Sequence, residues 1–183
     1  MSTQKSTLVA SLLSVLMVSA QAKNTNEDWK WASEYYATYS EWTVGCDHRT
    51  DDESIKRCYL RYVDAYARNP FGALFVFVTD TNEAGLTFTF EYEAGVRFTK
   101  PWRVSKEDVT IWQFDPNQCP AVNECAITGQ AAVKLAEILN AEYVELKFVL
   151  RDRVFRSFEL GWPSAGFADA LADLMAQSNN RKL

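Results

Sequence analysis

The stretch Leu-Thr-Phe-Thr-Phe-Glu-Tyr at residues 86–92 decides the fold class. Leu86, Phe88, Phe90 and Tyr92 fall on one face, and Thr87, Thr89 and Glu91 on the other. A strict period of two predicts a strand with one buried and one open face. Just upstream, residues 71–79 (FGALFVFVT) are nearly all apolar and predict a central strand covered on both sides. Between them, residues 80–85 (DTNEAG) carry the Asp, Asn and Gly of a turn.

The same texture extends in both directions. Residues 42–46 (WTVGC) predict a strand, and in 57–67 Tyr59, Arg61 and Val63 alternate with Leu60, Tyr62 and Asp64 until Asn69 and Pro70 break the run. Further strands are expected at 97–104, 109–114, 143–150 and 154–160, the last two joined by a tight hairpin at Arg151, Asp152 and Arg153. At 129–140 the period changes: Val133, Leu135, Ala136, Ile138 and Leu139 fit a short amphipathic helix. Gly161, Trp162 and Pro163 are expected to stop the last strand, and Ser164 offers an N-cap for a closing helix. In that helix Phe167, Leu171, Leu174 and Met175 form the apolar stripe, with Asp169 and Asp173 outward. Many short strands and two short helices predict a mainly β chain, a single antiparallel β-sandwich with one helix at the C-terminus. The domain is expected to span 41–177, after an arm at 23–40 and before a frayed polar tail at 178–183.

In the arm, Trp31, Tyr35 and Tyr39 recur at helical spacing, flanked by Trp29 and Tyr36. This gives a turn or two of helix, or an extended arm laid over the core. An aromatic platform for sugar or peptidoglycan is the functional alternative; the burial energetics of rings favour packing.

Residues 1–22 are expected to be a cleaved signal peptide. Lys5 is followed by the apolar run 8–18, and Ala20 and Ala22 offer the small-x-small cleavage site. The run is short of the ~20 apolar residues that span a bilayer, and no second long one follows. The product is expected to be periplasmic or secreted. Its formal charge is one unit more negative than the −5 of the 183-residue chain. That balance excludes a polybasic nucleic-acid binder, and 48% hydrophobic residues exclude a disordered chain.

Four cysteines, Cys46, Cys58, Cys119 and Cys125, enter an oxidising compartment if the leader is cleaved. Three connectivities are possible; the local pairing of Cys46 with Cys58 and Cys119 with Cys125 is the expectation. Neither spacing is C-x-x-C, and His48, as the sole imidazole, gives little support to a zinc set.

Nucleophile elbows, phosphate loops, dinucleotide fingerprints and H-E-x-x-H are absent, and no cofactor is expected. His48 sits in an acidic stretch with Asp47, Asp51, Asp52 and Glu53, where carboxylates at short spacing could share a cation. The order lacks the Gly and terminal Glu of a calcium loop, so a solvated turn is the alternative. Arg151, Arg153 and Arg156 could meet an anion or simply line a solvated strand face. Glu91 and Glu93 share a face without any sign of a tuned acid.

Tyr39-Ser-Glu-Trp42-Thr-Val-Gly-Cys46 followed by Cys58-Tyr-Leu60 resembles the opening of the invasion-associated locus B family. Cys119 to Cys125, then a helix, two strands and the Gly166-Phe167-Ala-Asp-Ala170-Leu171 helix start, resemble its ending. The similarity runs over roughly residues 39–175. Residues 94–97 match only loosely, and Cys119 and Cys125 are spaced more widely than is usual there. The resemblance implies an exported protein of a Gram-negative bacterium with an immunoglobulin-like β-sandwich. Some members are associated with host-cell entry; most have no known molecular activity. Cys46, Cys58, Cys119, Cys125, Trp42, Gly166 and Phe167 carry over in structural roles, and nothing catalytic does. The expectation is a non-enzymatic binder of a protein or envelope component, with no nucleic acid and no transmembrane helix after the leader. The alternative is an enzyme or metal-dependent binder using residues 47–53.

Overall fold

The computed structural model describes residues 30–63, 72–78, 85–92, 95–119, 123–141, 143–151 and 156–181. The strands are β1 (Trp31–Tyr39), β2 (Trp42–Arg49), β3 (Lys56–Val63), β4 (Gly72–Val78), β5 (Leu86–Tyr92) and β6 (Arg97–Phe98). They continue as β7 (Trp102–Lys106), β8 (Val109–Phe114), β9 (Glu124–Ile127), β10 (Val144–Arg151) and β11 (Ser157–Pro163). The helices are α1 (Gly129–Leu139) and α2 (Phe167–Arg181).

All ladders are antiparallel and make two sheets, a mainly β sandwich. One has the order β1-β2-β3-β4-β5-β9; the other runs β11-β10-β7-β8, with β6 also on β10. Alternation places Val44, Leu60, Leu74, Val76, Phe88 and Phe90 of the larger sheet in the core. Phe90 meets the opposing sheet, with ring centroids 4.3 Å from Trp102 and 5.8 Å from Phe148. The helix α2 covers β2 and β3 beside that second sheet, through Phe167 against Trp42 (5.0 Å) and Phe88 (6.2 Å). Among the described residues, α2 and the smaller sheet thus lie on the inner face of the larger sheet.

Trp42, Gly166 and Phe167, singled out in the sequence, meet in one packing knot. The Trp42 indole N–H donates to the Pro163 carbonyl at 3.1 Å. Gly166 has φ +85°, and a Cβ there would stand 2.4 Å from the Tyr39 carbonyl oxygen.

Several expectations need correction. Residues 31–39 are neither helix nor a separate arm but β1, an edge strand of the sheet, so the folded unit begins before residue 41. A spacing of four is an even number, so Tyr35 and Tyr39 share a face in a strand as well as in a helix. Both pack on the core and face Asp173 of α2, which is therefore not outward; the Tyr35 hydroxyl donates to its carboxylate at 2.9 Å. That bond raises the Tyr35 phenol, while burial, with the Asp173 charge adding, pushes Tyr39 up to about 12. The strand 72–78 is central but not covered twice: Phe75 and Phe77 on its outer face stay partly exposed. β11 runs through Pro163, which an edge strand tolerates because no ladder partner needs its missing N–H. Ser164 does not cap α2; it is buried, and its hydroxyl donates to the Ala141 carbonyl at 3.0 Å. The tail does not fray at 178: α2 continues to Arg181 with Ser178 buried, while Met175 is exposed. Expected strand 97–104 is split into β6 and β7 around Pro101. The hairpin tip at Asp152 and Arg153, and Glu93, lie outside the described residues.

Candidate functional site

A ladder of aromatic and guanidinium groups runs across the outer face of the larger sheet. It starts with a register shift in β1 between Ser33 and Tyr35. In an unbroken strand Trp31 would share the inner face with Tyr35 and Tyr39. The extra residue, Glu34, reverses the alternation, so Trp31 lies opposite Arg49 and Tyr36 opposite Gly45, on the outer side.

On β3 the outward residues are Arg57, Tyr59 and Arg61, opposite Asp47, Gly45 and Thr43 of β2. The Arg57 guanidinium lies 3.9 Å from the Trp31 ring centroid and 5.6 Å from that of Tyr59. Tyr59 crosses over Gly45 so closely that a Cβ on Gly45 would stand 2.7 Å from its Cζ. Beyond it are Phe75 and Phe77 of β4, stacked on each other at 16° and turned 70° and 59° from the Tyr59 ring. Asp47, 7% exposed, faces Arg57 at 3.5 Å. Burial raises the Tyr59 phenol, and the Asp47 charge adds to the effect. Tyr36 is 61% exposed, and its phenol is lowered by hydrogen bonding with Thr43, Thr38 and Arg61.

Among the described residues, the edge strands carry features that disfavour addition of a further strand. β1 and β8 each carry a register shift, β9 has four residues, and β11 ends in Pro163. Bulges, short strands and proline are the usual means of blocking edge pairing.

The residues read from sequence as a cation loop are placed apart. Asp47 and His48 belong to β2, and as neighbours on a strand they point to opposite faces. His48 Nδ1 is 3.1 Å from Glu34, which also meets Lys56 at 3.0 Å and Arg181 at 3.5 Å. Asp51 is engaged by Arg49, and Asp52 accepts from the Ser54 hydroxyl at 2.6 Å. Among the described residues no three His, Cys, Asp or Glu side chains are grouped to hold a metal. Cys46 and Cys58 face each other directly across β2 and β3 and are bonded, with Cα atoms 4.1 Å apart. Cys119 is bonded to Cys125 of β9, Cα atoms 5.1 Å apart. Arg151 ends β10 and is exposed, as is Arg156. Glu91 lies opposite Glu124 on β9, an exposed pair of like charges.

A concavity of about 480 Å³ lies where Asn140, Tyr143, Ser164, Gly166 and Asp169 meet. Tyr143 is 84% exposed at φ +61°, but the buried Ser164 hydroxyl is already bonded to Ala141.

No family model matches the sequence, and no curated protein matches it. Among solved structures, the chain is similar to invasion associated protein B from Bartonella henselae, with a TM-score of 0.53 at 18% identity. The match covers 79% of this chain and 99% of that one. The fold resembles that of an invasion associated protein. At this identity the likeness concerns the sandwich and its helices. The outer ladder rests on this chain's own residues. The alternation across residues 57–67 puts Tyr59 and Arg61 on one face, and that period is the signal available in the sequence. Nothing in the sequence indicated that Trp31 would join them, because that depends on the bulge.

Proposed function

We propose that this chain is an exported, non-enzymatic protein that binds a component of the cell envelope through the outer face of its larger sheet. The observation that carries the reading is the Trp31–Arg57–Tyr59 ladder with Phe75 and Phe77. It is a partly exposed array of the residue types that dominate binding energetics, held on a rigid sheet. The register shifts in the edge strands favour the face over strand addition as the mode of contact. Export is supported by the leader-like residues 1–22 and by two disulfides, which persist in oxidising compartments. No helix among the described residues is long and apolar enough to cross a membrane.

The test is cosedimentation with isolated envelope, using protein expressed with its own leader and recovered from the periplasm. Arg57→Ala and Tyr59→Ala are expected to abolish cosedimentation while leaving both disulfides formed, and Lys134→Ala on α1 is expected to leave it unchanged. Unaltered cosedimentation of the two face variants would refute the reading, as would retention of the chain in the cytoplasm with its leader intact.

A further inference from the structure

We infer that the ligand of this face is a carboxylated glycan, one sugar ring laid on Tyr59 and its carboxylate held by Arg57; this rests on the outer face being the binding surface. The floor is set by a glycine. Because Gly45 has no Cβ, the Tyr59 ring crosses directly over the β2 backbone, where a methyl group would come within 2.7 Å of Cζ. Phe75 and Phe77 are turned steeply from that ring and bound the floor on the β4 side. The face of an aromatic ring is the negative pole of its quadrupole, and the C–H bonds on the apolar side of a sugar are suitable positive partners.

The charge on the face points to an anion. Arg57 is held between Trp31 and Tyr59, with its side chain 43% exposed, and its contact to Asp47 is a long 3.5 Å. One Arg57 N–H group donates to Asp47, and stacking leaves the remaining in-plane N–H groups pre-ordered for a ligand carboxylate. Arg61 lies on the same face on the other side of Tyr59, so two guanidinium groups flank that ring, while the carboxylates Glu91 and Glu124 of this face lie away on β5 and β9. Two guanidinium groups around one ring favour an anionic ligand at that point of the face. An acidic peptide fits less well, because extended peptides gain affinity by joining a sheet edge and these edges are interrupted by shifts, a short strand and a proline.

Titration of the oxidised, leader-processed protein with trigalacturonate and with α2,8-linked trisialic acid tests the inference, with galacturonate methyl ester trimer and hexaglutamate as comparators. At least one acidic trisaccharide is expected to bind about tenfold or more tightly than either comparator. That affinity is expected to fall by about tenfold in Arg57→Gln and in Gly45→Ala, whose added methyl displaces the Tyr59 ring but removes no contacting group. Each variant is first shown to keep its strand signal by circular dichroism and both disulfides. Equal binding of hexaglutamate would overturn the inference, since charge alone would suffice; equal binding of the methyl ester would overturn the role of Arg57. If neither acidic glycan binds but envelope cosedimentation still depends on Tyr59, the glycan inference fails and the face reading stands. If both are lost, both fail.

Discussion

Gly166 and Gly129 provide a controlled comparison of two kinds of backbone constraint. Both have positive φ, +85° and +61°, and both stand at the start of a helix. An L-residue in the left-handed region costs about 1–2 kcal/mol, and either glycine replaced by alanine carries that cost. They differ in their surroundings. A Cβ on Gly129 meets nothing within 4 Å, whereas one on Gly166 comes 2.4 Å from the Tyr39 carbonyl oxygen and 2.8 Å from its carbon. Those atoms belong to the last residue of β1, at its turn into β2, so relief requires α2 to move away from the sheet. Overpacking of that kind costs a further ~1–3 kcal/mol. Gly129→Ala is therefore expected to lose about 1–2 kcal/mol, and Gly166→Ala about 2–5 kcal/mol in all. Urea unfolding of the oxidised proteins reads the difference. With m of about 2 kcal/mol/M, the Gly166→Ala midpoint should lie about 1 M below that of Gly129→Ala. Coincident midpoints would refute the reasoning, because they would leave the Tyr39 contact without energetic consequence. Such a result would also remove the physical basis for the Gly166-Phe167 helix start.

Replacing Cys46 and Cys58 together by Ala should cost about 2–3 kcal/mol from restored chain entropy, read by calorimetry against the parent; a loss below ~1 kcal/mol would show that the denatured chain is not restrained by this bond. Glu34 is held below the usual carboxylate range, first by its hydrogen bond with Lys56 and then by the nearby charges of Lys56 and His48. A depressed folded pKa contributes stability above the unfolded value, and that contribution fades as pH falls through the folded value. Urea midpoints should thus decline below about pH 4.5, and Glu34→Gln should flatten part of that decline. Asp51 and Asp52 are lowered as well and keep the remainder. An identical acid limb in the variant would count against the Glu34 hub.

Much of the sandwich was legible because the pleat imposes a period of two. Residues 86–92 put Phe88 and Phe90 inward as read, and 129–139 formed the expected helix. Other segments were ambiguous for definite reasons. Tyr35 and Tyr39 satisfy both periodicities, and only pairing with β2 selects the strand. The turn between β7 and β8 has positive φ at Glu107 and Asp108, a geometry usually signalled by Asn-Gly, so those residues gave no local warning. The run 71–79 reads as doubly buried because composition cannot tell a covered face from an exposed aromatic one, and Phe75 and Phe77 lie on the exposed one. Asp47 and His48 looked like one cluster because adjacency in sequence says nothing about which face each side chain takes.

By itself the sequence determined the class of fold, the cysteines available for pairing and the apolar faces, all of which follow from local periodicity and composition. The tertiary structure decided which aromatic groups face outward together. The Glu34 bulge turns Trp31 over, Gly45 lets Tyr59 lie across β2, and register sets Arg57 between them. These are long-range matters of register and close approach, where a shift of one residue reverses a face, and no local pattern in the chain encodes them.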